Sequence, residues 1–296
     1  MFGPNTTIHT KIKTNYSHRD TAFKVLFGEL RALFINKFKL QNYDILFIPG
    51  SGTFAMELLI LNYRYKLYFP HSIEGKFLRR WRNMDLTINS MPMESPDWHT
   101  FIDCQFETSI SKYNETLHEE ENAIVDAVCS FPYYPIPNKS IAFVTVPNKL
   151  LGSLPGLAIV GIRKDCWDRF KLPFGCFSTL DLKLYKEYAD KGMTPTTPPV
   201  QIFQHLIEML NIISIDELRK EVEFKSKLIG LLDWPLVGEK IAPALTIPKM
   251  IVTRKDLVRK YQLYGLDSST QNYQIFTYSE PALNYLNFVC DFSGVD

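Results

Sequence analysis

Short apolar runs recur along this chain at residues 43–48, 65–69, 86–89, 100–104, 122–126, 141–146 and 157–163, with polar or helical connections between many of them. Runs of that length bounded by polar segments read as buried strands, and strands alternating with helical patterns indicate an α/β sheet. Such a sheet has helices on its faces, and its ligands collect outside the carboxyl ends of the strands. The expected fold is therefore α/β, with a mostly parallel central sheet covered by helices. At 296 residues and 46% hydrophobic content the chain can bury a substantial core, as one large domain or a large and a small one.

Three of the expected strand ends carry chemistry. Phe143-Val144-Thr145-Val146 is an apolar strand that runs through Pro147-Asn148 to Lys149 and then into a loop ending at Pro155-Gly156. A lysine at the carboxyl end of a buried strand has a restrained stem and a partly desolvated amine, which suits imine formation with an aldehyde cofactor; many lysines in such places simply point into water. Tyr43–Ile48 is followed by Pro49-Gly50-Ser51-Gly52-Thr53 and a helical run from Phe54 to Ile60. Small residues at a helix N-terminus let backbone N–H groups approach an anion, with the Ser51 and Thr53 hydroxyls as further donors; a simple glycine turn and helix cap is the alternative. Ala123–Asp126 ends in a carboxylate that is costly to bury alone, so Asp126 needs a cationic or donor partner: a protonated ring nitrogen, or the backbone of a turn that it caps.

These segments occur in the order seen in a known family. Gly3-Pro4, Thr6-Thr7, Ser17-His18-Arg19, Gly50-Ser51-Gly52-Thr53, Glu107-Thr108-Ser109, Asp126, Asn148-Lys149 with Pro155-Gly156, and Thr197-Pro198-Pro199 together make the chain resemble the class V aminotransferases of the fold-type I pyridoxal-phosphate enzymes. The nearest branch in this reading is the 2-aminoethylphosphonate–pyruvate transaminases. The likeness covers about residues 1–212 in good order and the remainder loosely. It implies a pyridoxal 5'-phosphate cofactor bound through Lys149, with Asp126 on its ring nitrogen. Ser51, Gly52 and Thr53 would hold the phosphate, and Thr108, Ser130 and Asn148 would line the cofactor site. Thr197 would reach the phosphate of a neighbouring subunit in a homodimer with shared active sites. The implied reaction moves an amino group between a primary amine or amino acid, aminophosphonates included, and a 2-oxo acid such as pyruvate.

The departures bear on substrate. Where the family reads Phe-Arg-Ile-Gly, this chain has Tyr273-Gln274-Ile275-Phe276, and glutamine cannot form the two-pronged charged clamp that arginine gives a carboxylate. Arg19, Arg254 and Arg259 are the candidate replacements. In place of the aromatic ring that stacks on the cofactor, the alignment puts His71-Ser72-Ile73-Glu74-Gly75, with Phe69, Phe77 and Phe106 as alternatives. Two further readings stay open: a lyase or decarboxylase using the same cofactor, and a degenerate, non-catalytic member of the fold.

Thirty-three Lys and Arg against 32 Asp and Glu leave almost no net charge, so nothing global favours nucleic acid or an anionic membrane surface. Arg79-Arg80-Trp81-Arg82 is a short basic cluster that reads as a solvated face, a subunit contact or a local anion site. Five widely spaced cysteines suggest free thiols in a reducing cytoplasm, and no membrane-spanning run or signal-peptide core is evident. The six histidines form no close ligand motif, so no metal site is expected. Helices are expected at 20–39, 178–190 and 200–211. Beyond about 215 come an amphipathic helix, an apolar segment at 241–248, a basic helix at 254–262 and a last helix at 280–289. The expected division is a large cofactor-binding domain, 1–212, and a small C-terminal α+β domain, 213–296.

Overall fold

The computed structural model describes residues 17, 19–68, 100–172, 178–264 and 271–293. The opening motifs at Gly3–Thr7, His18, the strand expected at 86–89, the Arg79–Arg82 cluster, the 71–75 segment, Phe69 and Phe77 lie outside the described residues.

Helix α1 (Thr21–Phe38) buries Phe23, Phe27, Leu30 and Phe34, a stripe at three- and four-residue spacing that faces the core. It ends at Lys39, whose φ of 57° is left-handed and turns the chain toward β1 (Tyr43–Pro49). A tight turn leads into α2 (Gly52–Asn62), which is apolar on nearly every face because it packs on the sheet on one side and under neighbouring helical segments on the other. Strand β2 (Leu67–Tyr68) precedes β3 (Thr100–Cys104), and a small hairpin, β4 (Phe106–Glu107) with β5 (Lys112–Tyr113), follows. Next come β6 (Ala123–Asp126), β7 (Ala142–Thr145) and β8 (Leu157–Arg163), then α3 (Leu182–Asp190) and α4 (Val200–Ile212).

The six-stranded sheet has the order β1-β8-β7-β6-β3-β2. Pairs β2·β3, β3·β6 and β6·β7 are parallel, whereas β8 runs antiparallel to both β7 and β1. Two reversals restore the direction, so β1 points the same way as β7, β6 and β3. The carboxyl ends of these four strands therefore share one edge: Pro49 lies beside Leu157 at the start of β8, and Asp126 is in register with both Cys104 and Val144. The α/β sheet is mainly parallel, as expected, and mixed through the reversal of β8, which was not expected.

Apolar side chains of α1, β1, α2, the central strands, α3 and α4 form one core. A second core is built from α5 (Ile215–Gly230), the antiparallel pair β9 (Ala244–Pro248) and β10 (Asn272–Phe276), α6 (Lys255–Lys260) and α7 (Ala282–Ser293). That second core also takes in Phe106 and Leu150, so it is seated at the sheet edge where the strand ends converge. Among the described residues no helix is long and apolar enough to cross a membrane.

Candidate active site

A cleft of about 340 Å³ opens at this edge, lined by Gly50, Ser51, Gly52, Thr53, Asp126, Val128, Val146, Asn148, Lys149, Pro155 and Gly156. Its size lies within the roughly 300–1,000 Å³ of small-molecule sites. The three segments singled out in the sequence, with Ser51 75 residues before Asp126 and 98 before Lys149, meet here because β1, β6 and β7 end at the same edge of the sheet.

The cup comes from the β1–α2 turn. Ser51 caps α2, its Oγ accepting the Phe54 N–H at 3.1 Å, so the helix N-terminus and its positive dipole end face the cleft beside the Ser51 and Thr53 hydroxyls. Gly52 is required by packing. A Cβ there would come within 2.6 Å of Val128 Cγ2 and 3.1 Å of Val146 Cγ1, and without one the helix start presses directly on the strand ends.

Asp126 ends β6, and its Oδ1 accepts the Val128 N–H at 3.0 Å, which aims the carboxylate along the strand edge. It stands among other acids. Burial is the main cause that pushes Asp103 up to about 7, aided by Glu107 and Asp126 and opposed by the Cys104 N–H and the Asn114 amide. Burial first, then Glu107, Asp103 and Asp126, also raises the Cys104 thiol well above its ordinary value. Carboxylates grouped behind one strand end favour a positive charge in front of it.

Lys149 lies on a loop closed by two backbone bonds, Gly152 N–H to Lys149 O at 2.9 Å and Ser153 N–H to Pro147 O at 2.8 Å. Beyond it the Gly156 carbonyl accepts the Gly50 N–H at 3.0 Å, tying the lysine segment to the cup. The amine sits 5.3 Å from the centre of the Phe276 ring, which reaches over from β10. The thiol of half-buried Cys129 is pushed up by desolvation and pulled down by Lys149.

The other expected positions lie outside the cleft lining. Ser130 is fully buried and its Oγ donates to Gln105 Oε1 at 2.6 Å. Thr108 offers its carbonyl to Thr246 Oγ1 at 2.8 Å, joining the small hairpin to β9. Thr197 is exposed in the loop before α4. Phe106 is stacked with Tyr134 in the second core. Gln274 is buried opposite Thr246 in the β9–β10 pair, and Arg254 is exposed and paired with Asp256. Among the described lining residues Lys149 is the one cation. Sequence reasoning missed Phe276 and Cys129. The Tyr273–Phe276 run marked the right strand, but only its pairing with β9 brings the ring to the amine.

No family model matches the chain. It is 26% identical over 252 residues to the soluble hydrogenase small subunit of Synechococcus sp. (strain PCC 6716), a match covering 73% of this chain and 65% of that protein, so the chain spans less than two thirds of that relative. Solved structures resemble it over nearly the whole length. An aspartate aminotransferase from Thermus thermophilus superposes with a TM-score of 0.81 at 18% identity, covering 98% of this chain and 97% of the other. An alanine–glyoxylate aminotransferase from Nostoc sp. gives 0.77 at 18% identity, covering 99% and 94%. The chain has the fold of these aminotransferases.

Proposed function

We propose that this chain is a pyridoxal-phosphate-dependent aminotransferase, moving an amino group between a primary amine or amino acid and a 2-oxo acid such as pyruvate, and working as a cytoplasmic homodimer. The observation that carries the reading is the meeting of Lys149, Asp126 and the Ser51–Thr53 cup in one cleft at the carboxyl ends of the strands. The donor set fits the cofactor's three polar features. N–H and hydroxyl groups at a helix start suit a phosphate, a carboxylate among other acids suits a protonated ring nitrogen, and an amine on a restrained loop suits an aldehyde. The sequence relatives carry the name of a hydrogenase subunit. This donor set favours the aminotransferase side of the comparison.

When bound, the cofactor supplies an electron sink that loosens a bond to the substrate carbon bearing nitrogen. Lys149 Nζ would hold the cofactor through its aldehyde, and its free amine would be the base placed to take a proton from the substrate carbon and return it. Asp126 would keep the ring nitrogen protonated through its carboxylate. Ser51, Gly52 and Thr53 would hold the phosphate, with Asn148 lining the cleft beside the lysine. The buried Phe276 ring of the second core approaches the amine from β10, its centre 5.3 Å from Nζ. With Lys149 as the cleft's one described cation, donors that need no second charged clamp, simple uncharged-tail amines among them, are the first to screen. Exposed Thr197, outside its own chain's cleft, supports the reading that its target is the phosphate of a neighbouring subunit. The unbonded thiols of Cys104, Cys129, Cys166 and Cys290 suit a reducing compartment.

The test is cofactor capture. Purified protein mixed with pyridoxal phosphate is expected to gain a visible absorbance band, and borohydride to fix the cofactor on the peptide containing Lys149, with Lys149→Ala giving neither. Absence of both signals from the wild-type protein sinks the proposal. Product formed from an amine donor without any keto acid would instead exclude simple transamination.

A further inference from the structure

We propose that His205 is a positioning residue for Lys149, acting through its buried hydrogen bond to Ser153. The inference rests on the proposed role of the Lys149 amine and deepens it, assigning what holds that amine in place.

Ser153 Oγ and His205 Nδ1 are 2.9 Å apart; Ser153 is fully buried and His205 is 6% exposed. Ser153 belongs to the closed loop that carries the lysine, since its own N–H bonds to Pro147 O and the Gly152 N–H bonds to Lys149 O. In a loop locked by two such bonds, moving Ser153 moves Lys149. The loop lies directly on α4: Gly152 has a φ of +69°, and a Cβ there would come within 2.8 Å of Met209 Cε. His205 lies one turn before Met209 on the same helix face, and Ile202, one further turn back, touches the space beside Gly156.

The contacts with Ile202 and Met209 are apolar and non-directional, so they allow the loop to slide. The Ser153–His205 bond is directional. Because both groups are buried, breaking it leaves two polar groups unmatched, and the loop therefore has one preferred position on the helix. α4 itself is fixed in the first core through Phe203, Leu206 and Leu210. At its far end the lysine segment is tied to the cup by Gly50 N–H and Gly156 O. The amine is thus held between two anchors, one on the helix and one on the cup. A histidine on the buried face of an otherwise apolar stretch of α4 would be costly without such a use.

The test compares Ser153→Ala, His205→Leu and His205→Asn with wild type by two readouts. One is amide hydrogen exchange of the peptide covering residues 147–156 in full-length protein without cofactor. The other is the rate at which Lys149 captures pyridoxal phosphate, followed by visible absorbance and borohydride trapping. Ser153→Ala and His205→Leu are each expected to slow capture and to speed exchange about tenfold, the size of one buried hydrogen bond. His205→Asn, whose amide offers a donor and an acceptor near Nδ1, should restore both to within about twofold of wild type. The proposal is overturned if Ser153→Ala matches wild type in both readouts, or if His205→Asn is as impaired as His205→Leu, since the pair would then only fill the core. Wild-type protein that captures no cofactor defeats the functional reading alone, and the exchange readout still decides whether His205 fixes the loop.

Discussion

Asp103 shows what the strand ends cost at the scale of one residue. It is 4% exposed, and burial raises its carboxyl to about 7 despite two hydrogen bonds that favour the charged form. The folded protein therefore keeps a proton there that the unfolded chain releases near its ordinary value of 3.8. As pH rises between those two values the unfolded state ionises first, so this residue makes stability fall with pH, by up to about 1.4 kcal/mol per unit, and below or above that window its contribution is flat. Asp103→Asn should remove this slope. Urea midpoints for wild type and variant across pH 4–7 are the check, and parallel curves would contradict the assignment. Asp126, in register with Cys104 beside Asp103, was legible in the sequence only as a carboxylate at the end of an apolar run.

At the scale of elements, strand and helix positions followed from apolar periodicity, while their ends followed from contacts. The 178–190 segment reads as one helix in sequence; in the structure a short 3-10 turn, Ser178–Leu180, precedes α3, which starts at Leu182 with Asp181 as its cap. The break is made by Asn62 at the end of α2. Its Nδ2 donates to Leu58 O at 2.8 Å and Leu180 O at 2.7 Å, while its Oδ1 accepts the Leu182 N–H at 3.1 Å. Asn62 is 1% exposed, so Asn62→Ala would strand buried backbone groups and is expected to cost about 3 kcal/mol. Denaturant unfolding should show a lowered midpoint with an unchanged slope; a loss under about 0.5 kcal/mol, the level of an ordinary surface substitution, would refute this account.

For the whole molecule, the proposed dimer makes the sharpest claim, because Thr197 is exposed and its own cleft lies elsewhere. Light scattering is expected to give twice the chain mass. Thr197→Val, which removes one hydroxyl at nearly constant volume, should release cofactor several-fold faster on dialysis with the fold unchanged, as expected for one phosphate hydrogen bond. A monomer that retains cofactor and is active would rule out shared sites.

The sequence by itself determined the α/β class, the positions of the main strands and the three segments that carry an amine, a carboxylate and a hydroxyl-bearing glycine turn. These features are local: they depend on periodicity, on glycine and proline in turns, and on which residue ends an apolar run. Only the tertiary structure decided that β8 runs against its neighbours, and that reversal is what leaves β1 pointing the same way as β6 and β7 and brings Ser51, Asp126 and Lys149 to one edge. It also decided that the Phe276 ring approaches the Lys149 amine and that Ser153 meets His205, 52 residues away. Contacts between residues so far apart depend on how strands pair and which helix face turns inward, and no pattern within a single segment encodes them.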